Sequence, residues 1–152
     1  MQKIRNFAWY WLPVILWMFL IFGFSSDSAS FQHSSRILEP VLRFLFPWMS
    51  EEARFHIVFL ARKCAHLTEY AALALLVWRA RRKPRFRDLG PWNWREAVVA
   101  LAVTAIYAAT DEYHQTFVPG REGCVRDVII DTCGAAAGLF LLWLFGRWRK
   151  HW

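Results

Sequence analysis

Four apolar runs in this chain are long enough to cross a bilayer, and the last three carry charges inside or at their edges. A transmembrane helix needs about 20 predominantly apolar residues. The runs cover about 7–24, 59–78, 95–114 and 127–146, with Pro13 inside the first. The expectation is an all-α fold, an integral membrane four-helix bundle formed by residues 1–152 as one transmembrane domain. Ionisable residues within such runs are costly, so they have partners or a job.

Composition supports a membrane setting. The 152 residues are 57% hydrophobic and include 10 Trp, too apolar for an ordinary soluble domain. Most of the Trp residues stand near the ends of the runs, as interfacial aromatics do. The net charge of +7 lies between the apolar runs, facing anionic lipid rather than nucleic acid. Cys64, Cys124 and Cys133 form no disulfide framework and no CxxC metal motif. Cys64 and Cys133 read as small core residues. No internal repeat or low-complexity tract occurs.

Basic residues orient the spans. Lys3 and Arg5 precede the first. Arg79, Arg81, Arg82, Lys83, Arg85, Arg87 and Arg95 lie between the second and third, a linker that also holds Pro84 and Pro91. Arg147, Arg149 and Lys150 follow the fourth. With four spans these three regions share one side, so both termini are cytoplasmic in a multi-pass membrane protein. The other side carries Arg36, Arg43 and Arg54 offset by Asp27, Glu39, Glu51 and Glu52, with Arg121 and Arg126 in the second outer loop. A competing reading makes the first run a secretory signal cleaved near Ser28-Ala29-Ser30, leaving three spans.

The loop over 25–55 has internal pattern. Ile37, Leu38, Val41, Leu42, Leu45 and Phe46 recur at helical spacing. Pro40 interrupts them, so a helix is expected to start there rather than run through it, with Pro47-Trp48 ending it. A short interfacial helix on the outer surface and a simple connector both fit.

Depth counting gathers the polar residues. From the cytoplasmic ends, at ~1.5 Å per residue, Arg62, Asp111 and Asp131 all rise ~24–25 Å. His66 rises ~20 Å and Glu69 ~15 Å, while His114 and Asp127 reach ~28–30 Å. Arg62, His66 and Glu69 share a helix face at i, i+4 and i+7, and Lys63, His66 and Tyr70 also fit the stripe. Asp111 faces with His114 and Gln115, and Glu112 with Gln115. Asp127 and Asp131 continue into Gly134 and Gly138, a small-xxx-small stripe where helices approach closely. These stripes should line an outward-open pocket, rimmed by Ser25, Ser26 and the Pro119-Gly120-Arg121 turn.

The residue types leave several chemistries open. Arg62, Lys63 and Arg121 suit a phosphate or diphosphate, or they neutralise buried acids in a purely structural network. His66 with Glu69, and Asp111 with His114, resemble two halves of a metal site, but no HExxH or other selective ligand pattern occurs, so metal and cofactor stay undetermined.

The run Arg62-Lys63-Cys64-Ala65-His66-Leu67-Thr68-Glu69-Tyr70, then Asp111-Glu112-Tyr113-His114-Gln115, Pro119-Gly120-Arg121 and Asp127-Val128-Ile129-Ile130-Asp131-Thr132-Cys133-Gly134, resembles the VanZ-like family. The motifs are specific in combination and in order, Ser25-Ser26 fit them, and the resemblance spans about 7–146. It implies a small bacterial multi-span membrane protein. The family's namesake is associated with low-level resistance to the glycopeptide teicoplanin. The resemblance assigns no catalytic residue.

Three functions follow. The first is binding of an anionic lipid-linked cell-envelope precursor, such as a polyprenyl phosphate, by Ser25, Ser26, Arg62, Lys63, His66, Tyr70, Gln115, Arg121, Asp127 and Asp131. The second is an acid–base or metal-dependent enzyme on such a substrate, with Glu69, Asp111, Glu112 and His114 as its catalytic groups and His66 beside them. The third is proton-linked transport through Glu69. It needs a homo-oligomer, because Ala97–Ala108 and Leu139–Phe145 carry almost no polar groups. Membrane lipid is the expected environment and nucleic acid is not an expected partner. Binding is the preferred reading.

Overall fold

The computed structural model describes residues 2–26, 30–83, 90–119, 121 and 123–152, with the backbone alone for 2–6, 30–35 and 37. Asp27, Ser28, Ala29, Pro84, Arg85, Arg87 and Gly120, which entered the expectations above, lie outside the described residues. The described residues are all-helical, in five helices without strands: α1 (Gln2–Ser26), α2 (Ser30–Leu45), α3 (Glu51–Arg82), α4 (Trp94–Gln115) and α5 (Val125–Trp148). By length and composition, two of them are apolar enough to cross a membrane, over Phe7–Ser26 and Val125–Trp148.

The helices begin where local chemistry favours it. Ser50 caps α3 by accepting from the Ala53 N–H at 3.2 Å, and Glu51 and Glu52 meet the positive end of the helix dipole. Asn93 caps α4 through the Arg95 N–H at 2.9 Å. Arg79, Arg81 and Arg82 fill the last turn of α3, and Lys83 turns the chain left-handed at φ 48°. With 32 residues, α3 is about 48 Å long and exceeds the ~30 Å hydrocarbon thickness. Its first turns therefore project beyond the expected span of 59–78.

The helix in the first loop departs from expectation. It does not start at Pro40; it runs through it, from Ser30 to Leu45. Pro40 removes one hydrogen bond, but α2 rests on α3 and keeps an amphipathic pattern along its length, so tertiary packing outweighs the break. Arg54, counted among the loop cations, is buried and donates to the Met49 carbonyl.

Helix α3 is the hub. It packs against α5 most extensively, then α4 and α1. It runs parallel to α5, since Lys63 meets Asp127, and further along both helices Ala71 meets Gly138. A Cβ on Gly134 would lie 2.4 Å from the Leu67 carbonyl oxygen, and one on Gly138 2.9 Å from the Ala71 Cβ. The small-residue stripe thus brings the two backbones into contact, as the sequence indicated. Cys64 and Cys133, by contrast, are exposed and not core residues. The inward faces of their helices are already taken by Lys63, His66 and Tyr70, and by Asp131, Gly134 and Gly138.

The core between the helices holds Val14, Ile21, Tyr70, Leu73, Ala74, Val77, Ala100, Ala108, Ala135 and Leu139. Outward surfaces carry large apolar side chains, among them Leu16 and Phe19 of α1, Ile106 of α4 and Leu141 of α5. At one end, Trp78, Trp92, Trp94, Trp143 and Trp152 stack or meet edge to face, with ring centroids 5.2–6.4 Å apart. The polar residues collect at the opposite end, where α1 and α4 finish and α3 and α5 begin.

Candidate functional site

Asp111 is the best-supported polar group at this end. It is buried, and its Oδ2 accepts from Ser25 Oγ at 2.5 Å, Tyr70 Oη at 3.2 Å and Gln115 Nε2 at 3.2 Å. Helical side chains lean toward the N-terminus, so Tyr70 reaches from a deeper turn of α3 toward the Ser25 end. Gln115 also donates to Ser25 Oγ at 3.3 Å and to Glu112 Oε1 at 3.1 Å. The other Glu112 oxygen accepts from the backbone N–H of Cys124 at 3.0 Å. Two buried acids, one amide, one hydroxyl and one phenol thus form a connected network across α1, α3, α4 and the start of α5.

A second line of contacts joins α3 to α5. Lys63 Nζ pairs with Asp127 Oδ1 at 2.6 Å. One turn deeper, His66 Nδ1 stands 3.7 Å from Asp131 Oδ1, outside hydrogen-bond range. Asp131 is 1% exposed, and neither of its oxygens has a hydrogen-bond partner. The stripe Lys63, His66, Tyr70 therefore meets Asp127, Asp131 and Asp111 in order.

Arg121 closes the cluster from the α4–α5 connection. Its Nη2 donates to the Phe24 carbonyl at 2.7 Å, taking up one of the carbonyls left open where α1 ends. Its charge acts on Arg62, His66 and Glu69. Lys63 and Arg62 also act on His66, so the fields of three cations converge on this imidazole.

Several expected groups take other places. His114 does not join Asp111. It stacks against Phe22 at 4.5 Å, and its Nε2 lies 3.2 Å from the Ser26 hydroxyl. Ser26 also donates to the Phe22 carbonyl at 2.7 Å. The Glu69 side chain is half-buried and feels the charges of Asp111 and Arg121, while its backbone carbonyl accepts from Trp17 Nε1 at 2.9 Å. Among the described residues no group of three or more His, Cys, Asp or Glu is arranged to hold a metal ion.

Two contacts had little warning in the sequence. The Cys124 N–H reaches Glu112 because Gly123 lies flush on α4, where a Cβ would fall 2.1 Å from the Glu112 carbonyl oxygen. The Tyr107 hydroxyl donates to the Met18 carbonyl at 2.6 Å, tying α4 to α1. Gly123 itself, between two polar loops, was the one signal available for the first; the second had none.

No curated protein and no solved structure matches the chain. A family model, described as VanZ/LLP1, matches residues 10–146, which contain every element of the polar cluster. With two helices apolar enough to span a bilayer, membership carries a membrane setting, and the chain belongs to the VanZ/LLP1 family.

Proposed function

We propose that this is a bacterial plasma-membrane protein in which α1, α3, α4 and α5 form a four-helix bundle spanning the bilayer, with both termini cytoplasmic. Large apolar side chains on the outer surfaces suit contact with lipid. The basic last turns of α3 and α5 favour the cytoplasm at the tryptophan-rich end. The polar cluster then opens outward, and α2 lies on the outer surface. α1 remains part of the protein in this reading, since its Ser25 donates to the buried Asp111 Oδ2.

The outward cluster binds the phosphate of an anionic lipid-linked cell-envelope precursor. One observation carries this: Lys63, on the stripe of His66 and 2.6 Å from Asp127, and Arg121, tied to the Phe24 carbonyl where α1 ends, bring cations to the same end of the bundle. Cationic side chains grip a phosphate bearing about −1.5 to −2 charges through charge-assisted hydrogen bonds, and Lys63 also pairs with Asp127 at the same end. Holding such a precursor, or screening it, would connect the cluster to the teicoplanin association that the family resemblance implies.

Native mass spectrometry of the full-length protein tests the reading. A polyprenyl phosphate should co-purify, persist in Arg126→Ala and be lost in Arg62→Ala. Arg126 is an exposed cation at the same end and serves as the control. Equal retention in both variants, or protein free of phospholipid-like anions, would overturn it.

A further inference from the structure

Asp131 has an unusual environment for a carboxylate. It is 1% exposed, and both oxygens are enclosed without a hydrogen bond. Burying such a group is costly unless a partner answers it. The group beside it is His66, whose Nδ1 is enclosed as well, 3.7 Å from Oδ1. That is about half an ångström beyond an N–H···O bond, and paired groups of this kind commonly tighten only once a ligand is bound.

The geometry sorts the two ring nitrogens. The His66 side chain keeps 24% exposure although Nδ1 is enclosed, so its accessible edge is the one that bears Nε2. A carboxylate facing Nδ1 favours the proton there and leaves Nε2 as the acceptor. Lys63 pairs with Asp127 one turn above His66, and Arg121 and Arg62 lie at the same end of the bundle. A base at the accessible edge, a carboxylate behind it and cations at the same end are the parts needed to move a phosphoryl group to water.

Resting on the binding reading above, we propose that the cluster hydrolyses the terminal phosphoanhydride of a lipid-linked diphosphate, with His66 as general base and Asp131 as its positioning residue. A water molecule attacks the terminal phosphorus as His66 Nε2 takes its proton. The new bond is between the water oxygen and that phosphorus. The bond from that phosphorus to the bridging oxygen breaks, and the bridging oxygen leaves with both electrons on the lipid monophosphate. The products are orthophosphate and the lipid monophosphate, and His66 returns its proton to bulk water. Arg62, Lys63 and Arg121 stabilise the charge on the transferring oxygens. Asp131 holds the ring and stabilises the imidazolium.

The surrounding acids favour a diphosphate over a monophosphate ester. An alkoxide leaving from a monoester needs a proton donor, whereas a phosphate leaving group, with a second pKa of about 6, does not. Both Glu112 oxygens accept from internal donors, and the Asp111 oxygen left without a partner, Oδ1, is enclosed, so neither acid is placed to supply that proton.

The test is orthophosphate release by the full-length protein in detergent micelles, with undecaprenyl diphosphate in one arm and inorganic pyrophosphate in the other. Release is expected in the lipid arm. His66→Gln should slow it by about 10²–10⁴-fold. Asp131→Asn should lower kcat with little change in KM, with kcat taken per protein molecule that retains lipid in native mass spectra, so that loss of folded protein does not mimic the effect. Both variants should retain a lipid monophosphate in native mass spectra. Release by His66→Gln at the parent rate would overturn the proposal, as would no release from protein that binds the lipid phosphate. Equal turnover of pyrophosphate would overturn the lipid-linked assignment. Loss of lipid binding in the parent would instead overturn the reading beneath it.

Discussion

Replacing Gly134 by alanine tests whether the α3–α5 contact sets the geometry of the site. The added Cβ would lie 2.4 Å from the Leu67 carbonyl oxygen and 2.8 Å from its Cα. Ordinary contact starts at 3.4 Å, so the helices must separate locally by about 1.0 Å, and the obstacle is backbone rather than a flexible side chain. Overpacking of this kind costs about 1–3 kcal/mol. At Gly138 the shortfall is half as large, 2.9 Å against 3.4 Å, and should cost less. At Gly23 nothing lies within 4 Å, so alanine there should be neutral or stabilising by up to ~1 kcal/mol through helix propensity. Thermal unfolding of the three purified variants in one detergent gives the ranking. Gly134→Ala should melt lowest, then Gly138→Ala, with Gly23→Ala at or above the parent. The separation also pulls His66 from Asp131, so orthophosphate release per folded protein should fall in the same order. Equal melting temperatures for Gly134→Ala and Gly23→Ala would refute the close approach.

Further outcomes follow from the same contacts. Tyr70→Phe removes one buried donor to Asp111 and should cost about 0.5–1.5 kcal/mol in thermal or denaturant unfolding. Asp111→Ala leaves Ser25, Tyr70 and Gln115 without that acceptor, and should cost several times as much in the same assay. Trp152→Ala removes the ring packed on Gly146 and the bond from its Nε1 to the Trp143 carbonyl, so tryptophan emission should shift to the red. For topology, a membrane-impermeant maleimide applied to intact cells should label Cys124, which is exposed in the fold. In a Cys-less background it should label a cysteine at Trp48 and leave one at Lys83 unlabelled; the reverse pattern would invert the orientation.

Much of the site was legible because helical spacing is rigid. Once α3 was read as a helix, Lys63, His66 and Tyr70 had to share a face, and that face meets Asp127, Asp131 and Asp111. Gly134 and Gly138 announced a close approach through their size alone. Spacing along one helix says nothing about the azimuth of its neighbour, however. Asp111 and His114 share a face by count, yet α1 inserts Phe22 and Ser26 beside His114 and separates the two. Pro40 misled because a local rule was applied where packing on α3 decides. Cys64 and Cys133 misled because a small residue in a spanning helix fits the lipid face as readily as the core.

The attachment of α1 has an evolutionary consequence. Pro13 has no N–H to offer the Trp9 carbonyl, and Arg79 donates to that oxygen at 3.5 Å. Tyr107 and Arg121 likewise hold carbonyls of Met18 and Phe24. The donors lie outside α1, and the acceptors are main-chain oxygens that every amino acid supplies. The first helix can therefore drift in sequence, exchanging one apolar side chain for another, without loosening these three tethers. Trp17, Ser25 and Ser26 are the exceptions, because there the side chain itself is the contact.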